Sequence, residues 1–186
     1  ADELGQSQGD VASGSDASGF GNARIGATGG TVDIGGNATV SARGTGGDAL
    51  GTGSGGNGLG GTASLTAHSG GIINIGGDAE VYADANGGNG TSNSGGDAKA
   101  GVAEIVTNST DSLINIGGDA YVSAFAVGGD GLDGGTATGG TAQVLARGGG
   151  LLPESSNINV LGDLDVYGDA DGGHGIDSEG FPIPGG

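Results

Sequence analysis

The sequence lacks cysteine, methionine and tryptophan, and only 3% of its residues are aromatic. The absence of cysteine excludes a disulfide scaffold. The shortage of large side chains disfavours a compact globular core, because alanine, valine and isoleucine would have to supply almost all of the buried surface. Only three prolines are present, and the 50 glycines do not recur at every third position, so the chain is not collagen-like either.

Positive charge is also scarce, since 4 Lys and Arg stand against 22 Asp and Glu and give a net charge of −18. This balance argues against binding to nucleic acid or to an anionic membrane surface. No apolar run is long enough to span a bilayer, and no signal-peptide pattern is present. We therefore expect no membrane insertion, and we expect either a mature chain or a segment of a longer array.

The chain contains an internal repeat, whose copies start at Val32, Ile73, Ile114 and Ile158. Within the copies, Ile34, Ile75, Ile116 and Val160 follow one another at spacings of 41, 41 and 44 residues. In residues 73–85, apolar or small residues occupy every second position and polar residues lie between them, which is the period of a β-strand. The alternation continues through a Gly-Gly pair, so it predicts one long strand that bends at the glycines.

A second, shorter strand is predicted in each repeat, centred in turn on Ile25, Leu65, Ile105 and Val144. Glycine-rich excursions at 46–61, 87–101, 128–140 and from 172 onward connect the long strands to the short ones. One unit cannot bury its apolar face alone, whereas stacked units can do so as parallel strands about 4.8 Å apart. The pattern therefore predicts an all-β fold, a parallel β-solenoid with coils of about 41 residues and glycine-rich loops.

On this interpretation, ladders of Ala, Val and Ile fill the interior, and one of them contains Val40, Val81, Val122 and Val166. We expect residues 21–175 to form the solenoid repeats. Residues 1–20, rich in Gly, Ser and Asp, are expected to be a partial repeat that matches the later excursions. Residues 176–186 are expected to be a tail or the start of the next repeat.

Two excursions contain the pattern G-G-x-G-x-D, at 128–133 and 172–177. This pattern resembles the first part of the calcium-binding nonapeptide of RTX proteins, in which glycine lets carbonyl groups face a hard cation and Asp adds a charged oxygen. The resemblance implies Asp130, Asp133 and Asp177 as candidate Ca²⁺ ligands. The alternative is a plain turn, because the two copies are 44 residues apart rather than in tandem.

Two further sets of polar residues recur with the repeat. Asn37, Asp78, Asp119 and Asp163 would place like charges on neighbouring strands, which is unfavourable without compensation. Either each side chain accepts hydrogen bonds from local backbone N–H groups, or the carboxylates of Asp78, Asp119 and Asp163 share Ca²⁺. Asp33, Asn74, Asn115 and Asn159 form the second set, and their stacking predicts a structural amide ladder.

We expect no enzymatic activity. His68 and His174 are far apart in sequence, and Arg24, Arg43, Lys99 and Arg147 are too few to stabilise an anionic sugar intermediate as a polysaccharide lyase does. Four aromatic residues occupy those alternate positions of the long strand that are expected to face outward: Tyr82, Tyr121, Phe125 and Tyr167. They predict either an exposed strip that stacks on a carbohydrate or a partner, or aromatic packing between neighbouring strands.

The repeated unit, [Ile/Val]-[Asn/Asp]-Ile-Gly-Gly-[Asp/Asn]-Ala-x-Val-x-Ala, resembles the long repeat regions of bacterial secreted surface proteins, namely filamentous-haemagglutinin-like and autotransporter-type β-helical adhesins. The resemblance covers roughly residues 20–175. It implies export to the bacterial cell surface, a β-helical shaft, and a role in adhesion, biofilm matrix or filament formation. Axial self-association and a cell-surface or carbohydrate ligand are the partners expected from this interpretation. The alternative is a calcium-dependent binding module of RTX-like type.

Overall fold

The computed structural model describes the backbone of residues 3–4, 17–18, 21–148, 156–176 and 182–183, and the side chains of 21–148 and 156–176. These residues form 23 strands, numbered β1 to β23 in chain order, and no helix. Accordingly, no helix in this part of the chain is long and apolar enough to cross a membrane. The all-β fold predicted from the alternating pattern is confirmed.

Three parallel sheets enclose the apolar interior, and we call them together the body. Sheet I contains β3 (Asn22–Thr28), β8 (Thr62–His68), β13 (Val102–Asn108) and β18 (Thr141–Arg147). Sheet II contains β4 (Thr31–Ile34), β9 (Ile72–Ile75), β14 (Leu113–Ile116) and β19 (Asn157–Val160). Sheet III contains β5 (Ala38–Ser41), β10 (Ala79–Tyr82), β15 (Ala120–Ser123) and β20 (Leu164–Tyr167).

Two narrower parallel sheets form the excursions, and we call them the fin. Sheet IV contains β1 (Glu3–Leu4), β6 (Gly44–Thr45), β11 (Ala85–Asn86), β16 (Ala126–Val127) and β21 (Ala170–Asp171). Sheet V contains β2 (Ala17–Ser18), β7 (Gly58–Leu59), β12 (Ala98–Lys99) and β17 (Ala137–Thr138). A last pair, β22 (Gly175–Ile176) and β23 (Pro182–Ile183), is antiparallel.

The predicted ladders are present in register. Val81 pairs with Val40 on one side and Val122 on the other, and Val122 pairs with Val166. The short strands match in the same way, with Leu65 aligned between Ile25 and Ile105, and Ile105 next to Val144. The repeats therefore stack as the layers of a parallel β-solenoid, with hydrogen-bonded neighbours in consecutive layers.

The bent strand predicted over 73–85 is divided in the structure. β9 ends at Ile75, β10 runs from Ala79 to Tyr82, and β11 begins at Ala85, so the stretch contributes to three different sheets. The alternation nevertheless survives both corners, because Ile73, Ile75, Ala79, Val81, Ala83 and Ala85 are all buried. Side-chain parity thus continues through both corners, and so do backbone hydrogen bonds between layers, from Gly77 N–H to the Gly36 carbonyl at 3.1 Å and from Ala83 N–H to the Ser123 carbonyl at 2.8 Å.

The body and the fin have different interiors. In the body, β10 packs against β8 and β13, and Leu65, Ile73, Ile105 and Ile114 are almost completely buried. In the fin, β11 packs against β7 and β12, and the side chains that the two sheets bury are mainly alanines. The fin is therefore a thin double layer rather than a second hydrophobic core.

Backbone hydrogen bonds between glycines connect the two arms of the fin along the stacking axis. Each N–H donates to the preceding carbonyl at 2.8–2.9 Å, in the order Gly47, Gly56, Gly88, Gly96, Gly129, Gly135 and Gly173. A Cβ on Gly129 would lie 1.9 Å from the carbonyl oxygen of Gly88, so no larger residue fits without moving the backbone. Glycine is required in these excursions because the two arms approach within backbone hydrogen-bonding distance.

Candidate functional site

Outward-facing polar side chains form rows along the axis, because every sheet of the body is paired in register. In the row on sheet II, Asn74 Nδ2 donates to Asp33 Oδ1 at 2.7 Å, and Asn115 Nδ2 donates to Asn74 Oδ1 at 2.8 Å. Asn159 continues the row through a bond of 2.9 Å from its Nδ2 to Asn115 Oδ1. The predicted amide ladder is confirmed, and it links four consecutive layers.

The corner between sheets II and III carries the row of Asn37, Asp78, Asp119 and Asp163. The backbone N–H of Asp78 donates to Asn37 Oδ1 at 3.0 Å, that of Asp119 to Asp78 Oδ1 at 3.0 Å, and that of Asp163 to Asp119 Oδ1 at 2.8 Å. The predicted bonds to backbone N–H groups exist, but the donor is on the next layer rather than in the local turn. The side chains of Asn37, Asp78 and Asp119 therefore each join two coils, and these bonds offset part of the repulsion between stacked carboxylates.

In the second, third and fourth layers, the glycine that precedes the row residue makes room for the side-chain oxygen of the layer before it. A Cβ on Gly77 would lie 2.0 Å from Asn37 Oδ1, and a Cβ on Gly118 would lie 2.1 Å from Asp78 Oδ1. A Cβ on Gly162 would likewise lie 2.0 Å from Asp119 Oδ1. The recurring Gly-[Asp/Asn] pair is thus explained by a contact between layers.

A similar row on the fin was not singled out from the sequence. Asp48 Oδ1 accepts from the backbone N–H of Asn89 at 2.7 Å, Asn89 Oδ1 from that of Asp130 at 2.9 Å, and Asp130 Oδ1 from that of His174 at 2.7 Å. The sequence signal is the same as at the corner, since a Gly-Gly pair precedes each member. A shorter row on the opposite arm joins Asn57, Asp97 and Thr136 by bonds of 2.8 Å.

The three residues proposed from the RTX-like pattern have different positions. Asp130 belongs to the fin row, and its Oδ1 also lies 3.2 Å from Nδ1 of His174, with both side chains largely exposed. Asp133 is exposed, and its backbone carbonyl accepts from the N–H of Gly95 at 2.8 Å. Asp177 lies outside the described residues. Gly129 of the pattern belongs to the glycine hydrogen-bond chain, so it has a packing function whether or not a cation binds.

Among residues 21–148 and 156–176, no group of three or more His, Cys, Asp or Glu side chains is arranged to hold a metal ion. Calcium binding by Asp78, Asp119 and Asp163, or by Asp130 and Asp133, stays a prediction. The bonds within these rows run along the axis: Oδ1 of Asp78, of Asp119 and of Asp130 each accepts a hydrogen bond from the next layer.

The tyrosines of the outward strip stack on one another. Ring centroids are 5.4 Å apart for Tyr82 and Tyr121, and 5.3 Å apart for Tyr121 and Tyr167. The guanidinium of Arg43 lies 3.7 Å from the centre of the Tyr82 ring, and its Nε contacts Asp84 Oδ2 at 3.1 Å. Burial, followed by the neighbouring Glu80 carboxylate, raises the pKa of the Tyr82 phenol. Packing between layers therefore accounts for most of this strip.

The two histidines remain separate, as expected. His174 lies on the fin beside Asp130, whereas His68 lies at the end of β8 and lines a groove of about 450 Å³ on the outer face of sheet I. The same groove is lined by Arg24 and Arg147. This face was not predicted as a site from the sequence.

The fold and the axial rows define the class of this protein: it is a parallel β-solenoid with a glycine-rich fin. Comparison with models of protein families, with curated proteins and with solved structures finds no match to this chain.

Proposed function

We propose that this chain is a structural extracellular repeat protein, which forms the shaft of a bacterial surface adhesin, a biofilm matrix fibre or a filament. The observation that supports this role most directly is that outward polar groups bond along the axis. Amide, carboxylate and backbone groups from consecutive layers are joined in continuous rows. A protein of this kind transmits load along its axis through many equivalent bonds, and the proposal includes no catalytic step.

Self-association is proposed to occur by axial stacking at the layer formed by β18, β19 and β20. Each of these strands is the last of its sheet and, within the part of the chain that the structure describes, pairs on one edge only. The ladder of core valines is exposed at this layer, since Val166 is 43% exposed whereas Val122, its partner in the preceding layer, is fully buried. Leu164, at a ladder position where the other layers have alanine, is 47% exposed. Unpaired strand edges beside exposed apolar side chains favour addition of a further layer.

The location at the bacterial surface rests on the resemblance of the repeat to β-helical adhesins. A net charge of −18 supports this role, because it keeps a long array soluble and opposes non-specific lateral aggregation. The proposal therefore combines an acidic side surface with an apolar end.

Small-angle scattering of the whole chain at increasing concentration tests axial assembly. We expect the maximum dimension to grow in steps of the length of one chain while the cross-section stays constant. The double variant Leu164→Asp with Val166→Asp should abolish this growth, because it places two charges on the end layer. Leu132→Asp serves as the control, since Leu132 is equally exposed but lies on the fin. Growth of the cross-section instead of the length would contradict the proposal.

A second candidate function is a Ca²⁺-dependent binding module, favoured by the in-register carboxylates of Asp78, Asp119 and Asp163. Divalent cations bound along this row would neutralise stacked charge and stabilise the fold outside the cell. Thermal melting in EDTA and then in millimolar Ca²⁺ tests this role. A melting temperature that does not respond to Ca²⁺ would remove it and leave the shaft proposal intact.

A further inference from the structure

Sheet I has a polar outer face that the axial rows do not involve. The groove on this face is lined by side chains from all four strands of the sheet, among them Arg24 on β3, Thr62 and Ser64 on β8, Asn108 on β13 and Arg147 on β18. Two of the four Lys and Arg residues of a strongly acidic chain therefore line one surface.

The two guanidinium groups differ from that of Arg43. Arg43 contacts Asp84 and the Tyr82 ring, whereas Arg24 and Arg147 form no ion pair with the described residues. Arg24 folds across Gly26, where an added Cβ would lie 2.9 Å from Arg24 Nε. Both arginine side chains are exposed. Exposed cations without a carboxylate partner are available to an anionic ligand.

The groove also contains one acidic residue, whose charge is partly compensated. Glu104 Oε2 accepts a hydrogen bond of 2.9 Å from Gln143 Nε2 of the neighbouring strand. Glu104 lies in the third layer, between Arg24 in the first and Arg147 in the fourth. With layers about 4.8 Å apart, the backbones of the two arginines are separated by roughly 14 Å along the axis. Arg24 aligns with Glu104, whereas Arg147 aligns with Asn108, four positions further along β13, so the two arginines are also offset by roughly 13 Å along the strands.

The arrangement discriminates between classes of anionic ligand. β8 and β13 are paired on both edges, so an acidic peptide cannot add to them as an extra strand. Hydroxyl and amide groups from Asn22, Thr62 and Asn108 line the same groove and match the hydroxyl groups of a sugar. Carboxylate groups accept the paired N–H donors of arginine.

We propose that the outer face of sheet I binds a short, linear, carboxylated oligosaccharide diagonally across its four strands, with Arg24 and Arg147 each contacting a uronate carboxylate. This activity goes beyond the proposed role as a shaft. It would give the acidic shaft a defined lateral contact with uronic-acid polymers, while the end layer remains free for axial stacking.

Titration calorimetry of the whole chain with a galacturonic acid tetramer, at low ionic strength, tests the proposal. We expect binding that weakens as salt is added, and a dissociation constant about tenfold higher in Arg24→Gln and in Arg147→Gln, the loss typical of one charge-assisted contact. Glu104→Gln should lower the dissociation constant, because it removes a negative charge that lines the groove. Arg43→Gln makes the same change in net charge away from the groove and should bind as the parent chain does.

Four results would overturn the proposal: no binding of the tetramer, equal binding of a neutral galactose tetramer, equal or tighter binding of a hexaglutamate peptide, or equal weakening by Arg43→Gln. Melting curves of each variant establish that the fold is retained. Axial growth in scattering should be the same for all these variants. Loss of oligosaccharide binding in the groove and loss of axial assembly are therefore distinguished by separate measurements.

Discussion

The body and the fin are stacked in the same way, but different forces close them. In the body, buried side chains such as Ile105, Ile114 and Val122 fill the space between three sheets. In the fin, the two arms are held by the chain of hydrogen bonds between glycines, and the buried side chains are mainly alanines. One repeat can therefore combine a region stabilised by hydrophobic burial with a region stabilised by close backbone approach.

The largest expected effect is in the fin, where Gly129→Ala would place a methyl group 1.9 Å from the carbonyl oxygen of Gly88. The backbone of two layers must move to relieve this overlap, so we expect a loss of about 4 kcal/mol or more in the free energy of unfolding. Urea denaturation measures it. Gly35→Ala is the matched control, because a Cβ there has no neighbour within 4 Å. Similar behaviour of the two variants would contradict the close approach of the arms.

The next largest loss of stability is expected from a cavity in the body. Ile114→Ala removes a fully buried side chain and should reduce the free energy of unfolding by about 2–5 kcal/mol. Ile158, its register partner in the last layer, is only partly buried, so Ile158→Ala should cost clearly less. Equal losses in the same denaturation experiment would mean that another layer covers the end in solution, as axial assembly requires.

Substitutions in the row at the corner between sheets II and III should reduce the free energy of unfolding by less. Asp119→Ala leaves the backbone N–H of Asp163 without its acceptor, and we expect a loss of about 1 kcal/mol. Asp119→Asn keeps the acceptor and removes one stacked charge, so its stability should equal or exceed that of the parent chain. Melting in the presence and absence of Ca²⁺ separates the two roles of this residue. If the Asn variant were destabilised only in Ca²⁺, cation binding would be the more important role.

The smallest effect concerns the tyrosine stack at alkaline pH. Because burial raises the pKa of Tyr82, the folded chain holds this proton more tightly than the unfolded chain does. Its contribution to stability is complete below about pH 10, the value for an unperturbed tyrosine, and is lost as the pH rises through the higher pKa of the folded state. Tyr82→Phe should reduce the loss of stability between pH 9 and 11, measured by thermal melting. Tyr167→Phe, at an exposed ring, is the comparison.

The repeat period was sufficient to predict which residues pair. Val40, Val81, Val122 and Val166 align as expected, because a period of two within the strand and an equal spacing between copies leave one register that keeps every apolar residue inside. The amide ladder follows from the same register. These features depend on local alternation and on the repeat, both of which are visible in the residues.

The hydrogen-bond donors of the polar rows could not be predicted in the same way. Local turn chemistry suggested that Asp78 and Asp119 bond within their own corners, whereas each accepts from the following layer. The glycines of the fin were likewise predicted to lie in loops, and not in two arms joined by backbone hydrogen bonds. Glycine is required at these positions because the two arms lie close together, and the sequence of a single repeat does not show the distance between the arms.

The sequence by itself determined the strand period, the register and the apolar interior, because alternation and spacing are properties of the chain alone. Only the tertiary structure decided where the corners divide the strands, which carboxylates join consecutive layers, and that Arg24 and Arg147 share one groove. The physical reason is that these features depend on distances between layers and between arms. Such distances are fixed only when all the coils have packed together.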